Sequence, residues 1–547
     1  MKTLTNKLKK RKTKFIIVTG GVCSSLGKGI LVSSIGVLLK NSGYSISVMK
    51  WDPYLNVDPG TMSPLVHGEV FVTDDGAETD LDLGHYERML QIHLTRESSV
   101  SSGQIYQEVL DAERYGKYLG GNIQMVPHVT DAIKSRLLNF AYKNNVDFVL
   151  VEIGGTVGDV EGVIFLEAIR QLRMELNPDQ LMLCHLSLVP YLDWANEIKT
   201  KPTQHSVILL KKAGLAPDSL FLRTDYKTTL KTKEKLSVMC GVNRDLIFDA
   251  LTVDMIPKIF VNLKEQKVNE RIQKWFGIKN IKKTDLIKWK KLIRIIQNKK
   301  RTVKIGLIAK YVGSNDPYLS VIKALEAAGH ANKVEVAVEV VEAEKLEKSS
   351  KKEVEKTLSK MDGILVPGGF GKRGVEGKIL AAKFARENDI PYLGLCLGMQ
   401  VMLIEFARHV LNLKGASSTE FDKGTKYPVI SLLEEQRKIN KKGGTMRLGV
   451  YPCSLLPGTK ARKIYKKDKV LERHRHRYEF NNKYKELFEE SGVIFSGIYK
   501  KENLVEIAEL EKHPFMIACQ FHPEFLSTPL KPHPLFKEFI KIVLEKN

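Results

Sequence analysis

Ile390-Pro391-Tyr392-Leu393-Gly394-Leu395-Cys396-Leu397-Gly398-Met399-Gln400 is the stretch whose reading decides the fold. A short apolar run, 390–393, runs into a turn flanked by glycines, and a helical pattern follows at 401–410. That spacing predicts a buried strand, a sharp turn and a helix, the arrangement that presents a nucleophile at the edge of a sheet. The nucleophile here is the thiol of Cys396, and a thiolate beside a helix N-terminus attacks carbonyls well. A base is offered far downstream in Phe521-His522-Pro523-Glu524, where a carboxylate two residues past the imidazole can orient it. Cys396, His522 and Glu524 together point to acyl transfer through a thioester.

Around this turn the chain alternates strand-like and helical patterns. From Thr302 onward, strand-like runs at 303–309, 334–341, 363–366 and 392–395 are separated by helical patterns at 317–328, 345–360 and 377–387. Residues 414–480 read as loops and short strands, and runs at 493–499, 504–510 and 515–521 lead to His522. The first half repeats the alternation, with runs at 15–18, 45–49, 148–153 and 181–189 and helical patterns at 28–41 and 161–175. Such alternation predicts parallel sheets covered by helices. Residues 262–302 are lysine-rich and glycine-poor, with Leu286, Trp289, Ile293 and Ile296 on one helical face. The expected fold class is α/β, with two doubly wound parallel-sheet domains at 14–265 and 302–547. A linker helix within 266–301 joins them, and a solvated basic arm, 1–13, precedes them.

The chain has 547 residues, 43% of them hydrophobic, enough for packed cores. Its net charge is +23, but the lysines spread over both halves with peaks at 7–14, 280–304 and 350–356. No basic stripe interleaved with aromatics forms a nucleic-acid module, so solvated faces and pockets for polyanionic small molecules are expected instead. No apolar run approaches the ~18–20 residues of a membrane span. The run at 15–18 meets glycine too soon for a signal peptide. Six scattered cysteines, none in a C-x-x-C pair, argue against a disulfide framework or zinc site and fit a reducing cytoplasm.

Gly20-Gly21-Val22-Cys23-Ser24-Ser25-Leu26-Gly27-Lys28-Gly29 follows one strand-like run and precedes a helical pattern. Main-chain amides of such a loop face phosphate oxygens, and Lys28 would reach the terminal phosphates. Gly29 stands where a hydroxyl usually binds Mg²⁺, so carboxylates must come from elsewhere. Asp74-Asp75-Gly76-Ala77-Glu78-Thr79-Asp80-Leu81-Asp82 offers several. Glu152 offers another, a charge closing an otherwise apolar strand just before Gly154-Gly155-Thr156.

Taken together, these pieces resemble the CTP synthase family. The resemblance is carried in the first half by the phosphate loop, 50–64 from Lys50-Trp51-Asp52-Pro53-Tyr54 onward, His67-Gly68-Glu69, Asp80 to Arg88, Glu152 to Asp159, and Lys199-Thr200-Lys201-Pro202-Thr203-Gln204. The second half is similar to class I glutamine amidotransferases in Pro367-Gly368-Gly369-Phe370-Gly371, the Cys396 turn, 443–449 and Arg473-His474-Arg475-His476-Arg477-Tyr478-Glu479. The resemblance implies ATP-dependent amination of UTP to CTP through a 4-phosphorylated intermediate, with ammonia from glutamine or from solution. It implies Ser25, Leu26, Gly27, Lys28, Gly29, Ile30, Asp82 and Val253 around ATP, and Mg²⁺ on Asp82 and Glu152. Around UTP or the inhibitor CTP it implies Ser24, Asp159, Val160, Glu161, Lys199, Thr200, Lys201, Pro202, Thr203, Gln204 and Lys235, with Lys50 a further phosphate contact. For glutamine it implies Gly369, Leu397, Gly398, Met399, Gln400, Glu420 and Arg477, with Gly369 and Leu397 donating to the oxyanion. It also implies GTP as activator, a homotetramer, and an ammonia passage with His67 near its wall. The family's Lys-Asp-Val run near the adenine is Leu251-Thr252-Val253 here. The competing expectation is a cobyrinate-type amidotransferase, which also joins an ATP-binding domain to a glutaminase but lacks the 50–64 and 199–204 stretches.

Overall fold

The computed structural model of the chain describes residues 2–63, 67–299, 301–311, 316–432 and 446–546. The chain divides into two units, Met1–Pro59 with His85–Ile293, and Gly60–Gly84 with Arg294–Asn547.

The first unit is built on a seven-stranded sheet, ordered Ile247–Leu251, Ser219–Thr224, Leu181–Leu188, Lys14–Gly21, Phe148–Ile153, Ile46–Asp52 and Ser99–Ser101. Every neighbouring pair is parallel. Runs such as Phe-Val-Leu-Val-Glu-Ile at Phe148–Ile153 are buried along their whole length, as a sheet covered on both faces requires. Lys14–Gly21 lies at the middle, with later strands laid down on either side of it. Open α/β sheets bind ligands outside the carboxyl ends of strands at such a point.

The expected solvated arm is instead a helix, Lys2–Arg11. Leu8 is fully buried, its carbonyl accepts from Gln180 Nε2 at 3.0 Å, and the Arg11 guanidinium lies 4.2 Å from the centre of the Tyr142 ring. Leu4 and Leu8, one helical turn apart, supply an apolar stripe that the surrounding lysines disguised. The segment read as a linker packs within the first unit as far as Ile293. Trp289 is buried edge-on against Phe260, with ring centres 4.8 Å apart.

The second unit carries a nine-stranded sheet, ordered Glu335–Glu342, Thr302–Ala309, Gly363–Val366, Tyr392–Leu395, Met516–Cys519, Leu504–Leu510, Val493–Tyr499, Arg447–Leu455 and Lys469–His476. The first five strands are parallel, and the remaining pairs are antiparallel. Arg447–Leu455 and Lys469–His476 are long paired strands inside the stretch expected to hold loops and short strands. Glycine and proline within Arg447–Leu455, and the buried charged and imidazole side chains of Lys469–His476, hide the period of two that a half-buried antiparallel strand should show. Residues 443–445 of the 443–449 motif lie outside the described residues. Gly60–Gly84 contributes an antiparallel pair, Phe71–Val72 with Glu78–Thr79, and Phe71 packs edge-on against Phe525 at 5.0 Å.

Candidate active site

In the second unit the strand Tyr392–Leu395 lies beside Met516–Cys519, with Leu395 opposite Cys519. Adjacent parallel strands end together, so the turn after one meets the turn after the other. That register brings Cys396 to His522. The Cys396 amide continues the ladder by donating to the Cys519 carbonyl at 2.7 Å. Cys396 itself has φ 52°, a left-handed backbone uncommon for a side-chain-bearing residue and one that turns the thiol outward at the start of helix Leu397–His409. The flanking glycines are required by space. A Cβ at Gly398 would sit 2.2 Å from the Val366 carbonyl oxygen, and one at Gly394 2.8 Å from the Gly398 carbonyl. Tyr392, fully buried, locks the turn by donating from its hydroxyl to that same Gly398 carbonyl at 2.8 Å.

His522 Nδ1 is hydrogen-bonded to Glu524 Oε1 at 2.7 Å, and the imidazole stacks on Phe525 with ring centres 5.1 Å apart. Burial pulls the imidazole pKa down, but Glu524 and then Cys396 outweigh it, and the net is a pKa raised to about 10. A Cβ at Gly368 would lie 2.9 Å from His522 Cε1 and 3.6 Å from Cys396 Cβ, so only glycine leaves room where the two reactive groups face each other. Gly368, Gly369, Phe370, Cys396, His522 and Glu524 line one cavity of about 90 Å³.

Two lysines that the sequence reading missed hold the loop 367–371. Lys310 Nζ donates to the Phe370 carbonyl at 2.9 Å and to the Gly371 carbonyl. Its burial lowers its pKa to about 8. Lys378, fully buried, donates to the Pro367 carbonyl at 2.9 Å, and burial pushes its pKa well down. Lys310 directly follows the apolar strand Thr302–Ala309, the same signal that singled out Glu152. Glu420 accepts from the Gly371 amide at 2.6 Å, and its burial raises its pKa. The 473–479 motif builds a buried network behind the site. Arg447 binds Glu479 at 2.9 Å and Glu506 at 2.8 Å, and His474 Nδ1 meets His476 Nε2 at 2.9 Å. Burial raises the pKa of both glutamates and lowers that of both histidines.

In the first unit the loop between strand Lys14–Gly21 and helix Lys28–Lys40 carries positive φ at Val22 (88°), Ser25 (59°) and Gly27 (93°). Left-handed residues spaced along a loop turn successive amides to one side, a concavity for anions. The helix begins at Lys28 after Gly27, which has no side chain to cap it. Lys28 Nζ donates to the Gly155 carbonyl at 2.6 Å, tying this loop to the turn after the neighbouring strand. At the ends of paired strands, buried Lys50 lies 3.6 Å from Asp52 and 3.5 Å from Glu152, and Glu152 also accepts from the Tyr86 hydroxyl. Asp82 lies in the first turn of helix Leu81–Leu90. Among the described residues no three His, Cys, Asp or Glu side chains cluster as a ready-made metal site.

The other expected nucleotide contacts fall into two places. Val160 and Glu161 line a cavity of about 490 Å³ with Pro53, Leu55, Ser102 and Ile164. Asp159 caps its own turn by accepting from the Thr156 amide at 2.9 Å. Lys199 pairs with Glu197 at 2.6 Å, and the charges of Lys199 and then Lys235 help hold that carboxyl below its usual range. Thr200 precedes helix Lys201–Lys212, where Gln204 Nε2 donates back to Thr200 Oγ1 at 3.0 Å and Thr203 Oγ1 donates to the Leu188 carbonyl at 3.1 Å. Val253 follows strand Ile247–Leu251.

Residues 14–278 match the family model described as CTP synthase N-terminus, and residues 315–542 match glutamine amidotransferase class-I. The chain is 52% identical to a CTP synthase of Caldanaerobacter subterraneus, over 97% of this chain and 98% of that one. It is 50% identical to a CTP synthase of Staphylococcus epidermidis, over 97% and 99%. The chain belongs to the CTP synthase family. A solved glutaminase domain of the Trypanosoma brucei enzyme with bound acivicin is 39% identical, covering 45% of this chain and 95% of that one at a TM-score of 0.43, but the assignment rests on the full-length sequences. As a member of the CTP synthase family the chain is a ligase with synthetase and amidotransferase halves. These full-length matches do not favour the cobyrinate-type alternative. No helix among the described residues is long and apolar enough to cross a membrane.

Proposed function

We propose that this chain converts UTP to CTP with ATP and glutamine, the synthetase chemistry residing in 14–265 and the glutaminase in 302–547. The observation that carries the reading is the similarity to CTP synthases over nearly the whole chain. In the glutaminase half, the Cys396 thiolate attacks the glutamine amide carbon and the C–N bond breaks. His522, raised to about 10 and protonated at neutral pH, gives its proton to the departing nitrogen. Glu524 holds the imidazole, and the amides of Leu397 and Gly369 receive the oxyanion, a contribution of about 3–4 kcal/mol in comparable sites. Water then cleaves the thioester, releasing glutamate. Gly398, Met399, Gln400, Glu420 and Arg477 surround the substrate, with Glu420 toward its α-ammonium and Arg477 toward its carboxylate.

In the synthetase half, the amides of Ser25, Leu26, Gly27, Lys28, Gly29 and Ile30 cradle the ATP phosphates, and Lys28 follows the γ-phosphoryl as it passes to the uracil O4. Ammonia then displaces phosphate at C4. Carboxylates are hard oxygen donors that suit Mg²⁺, and Glu152, a buried carboxylate held at a sheet end, fits that part; Asp82 and Glu152 would hold the ion. When bound it neutralises charge on the phosphates. Ser24, Lys199 to Gln204 and Lys235 bind the UTP triphosphate, and Asp159, Val160 and Glu161 read the base. CTP competes there as feedback inhibitor, GTP activates glutamine hydrolysis, and the active form is a cytoplasmic homotetramer. Ammonia travels through an internal passage with His67 near its wall. A coupled assay tests the reading: UTP, ATP and magnesium with either glutamine or ammonium should yield CTP and ADP. UTP left unchanged by both nitrogen sources would refute it.

A further inference from the structure

We propose that Gln520 is a further catalytic residue of the glutaminase centre, its side-chain amide donating a hydrogen bond to the Cys396 sulfur and favouring the thiolate over the thiol. This rests on Cys396 being the nucleophile. Gln520 Nε2 lies 3.6 Å from Cys396 Sγ, and Gln520 is fully buried. Its main-chain amide donates to the Glu506 carbonyl at 2.9 Å, so its backbone is fixed.

The direction of the bond follows from a short chain of donors. Gln400 Nε2 lies 3.1 Å from the Tyr478 main-chain carbonyl, which can only accept. The second hydrogen of that nitrogen points to Gln520 Oε1 at 3.3 Å. Gln520 must accept there, and its own NH₂ group is left facing the sulfur. A sulfur anion accepts such a bond far better than a neutral thiol does. On its other side the sulfur sees the Arg475 main-chain carbonyl at 4.0 Å, an acceptor too distant to hold the S–H form firmly. Gln520 thus adds a neutral donor to the positive charge of His522.

The test is the rate at which iodoacetamide alkylates Cys396, read by peptide mass spectrometry. Cys23, exposed in the first unit, is the internal reference. Gln520→Leu keeps the bulk and removes the N–H; near neutral pH it should slow Cys396 alkylation about tenfold relative to Cys23. In alkaline solution, where both proteins hold a thiolate, their rates should converge, which a merely structural defect would not produce. The other titratable groups that feel the sulfur, His522, Lys378 and Cys519, are unchanged in the variant. Gln400→Leu releases the Gln520 amide without removing it and should slow alkylation in the same direction, which keeps the test open if Gln520→Leu fails to fold. Parent-like rates in both variants overturn the role of Gln520. If Cys396 of the parent protein reacts no faster than Cys23, the reading of Cys396 as nucleophile fails instead.

Discussion

At the scale of single residues, the site separates groups that react from groups that leave them room. Cys396→Ala should abolish glutamine-driven CTP formation and leave ammonia-driven formation intact, measured in the same coupled assay. Gly368→Ala should fold, because its Cβ meets the His522 ring and the Cys396 side chain rather than main chain, yet lose most glutaminase turnover. The His522 pKa has a consequence for stability. A base raised from 6.5 to about 10 in the fold contributes stability in full below about 6.5, and that contribution fades as pH rises toward about 10. Melting temperatures measured across that window should fall in the parent protein and fall less in His522→Gln. The thiol, the imidazole and the carboxylate were legible in the sequence because each sits at a fixed spacing from a strand end. Gln520 and Lys378 were not: an amide between a strand and a histidine, and a lysine in a lysine-rich chain, carry no periodic signature, while Lys310 stood at a strand end with the signal used for Glu152 and was passed over.

At the scale of elements, the turn at Cys396 depends on close main-chain approach. Gly398→Ala drives a methyl group into the Val366 carbonyl at 2.2 Å, and neither side is a flexible side chain. We expect it to destabilise the second unit by about 2–3 kcal/mol, read by denaturant unfolding. Arg447 joins two buried glutamates across strands Arg447–Leu455, Tyr478–Phe480 and Leu504–Leu510. Arg447→Met leaves Glu506 beside His474 and Glu479 beside His476 without their guanidinium, and breaking a buried ion pair in this way costs about 3–5 kcal/mol, read by denaturant unfolding. Parallel strands such as Phe148–Ile153 and Gly363–Val366 were legible as apolar runs, since burial on both faces leaves no polar alternation to confuse them. The antiparallel strands Arg447–Leu455 and Lys469–His476 were not picked out within 414–480, because buried Arg447, Glu472, Arg473, His474 and His476 share the buried positions with Cys453, Leu455 and Val470, so hydrophobicity does not mark the inward face.

At the scale of the whole molecule, the proposed function divides the reaction between the two sheets, and the variants should sort accordingly. Lys28→Ala should stop CTP formation from both nitrogen sources, whereas Cys396→Ala stops one; equal losses in both assays for Cys396→Ala would sink the division of labour. The alternation of strands and helices announced two α/β sheets from the sequence alone. Membership of Gly60–Gly84 in the second unit was not legible, because nothing in a local pattern tells which distant partner will bury Phe71.

The order of strands in the second sheet also bears on biosynthesis. Tyr392–Leu395 lies between Gly363–Val366, made before it, and Met516–Cys519, which the ribosome makes long after Cys396. A nascent chain halted between them exposes a thiol with no base beside it and a sheet with an open seam. Cys396 therefore gains its imidazole neighbour only once translation has passed His522 and Glu524.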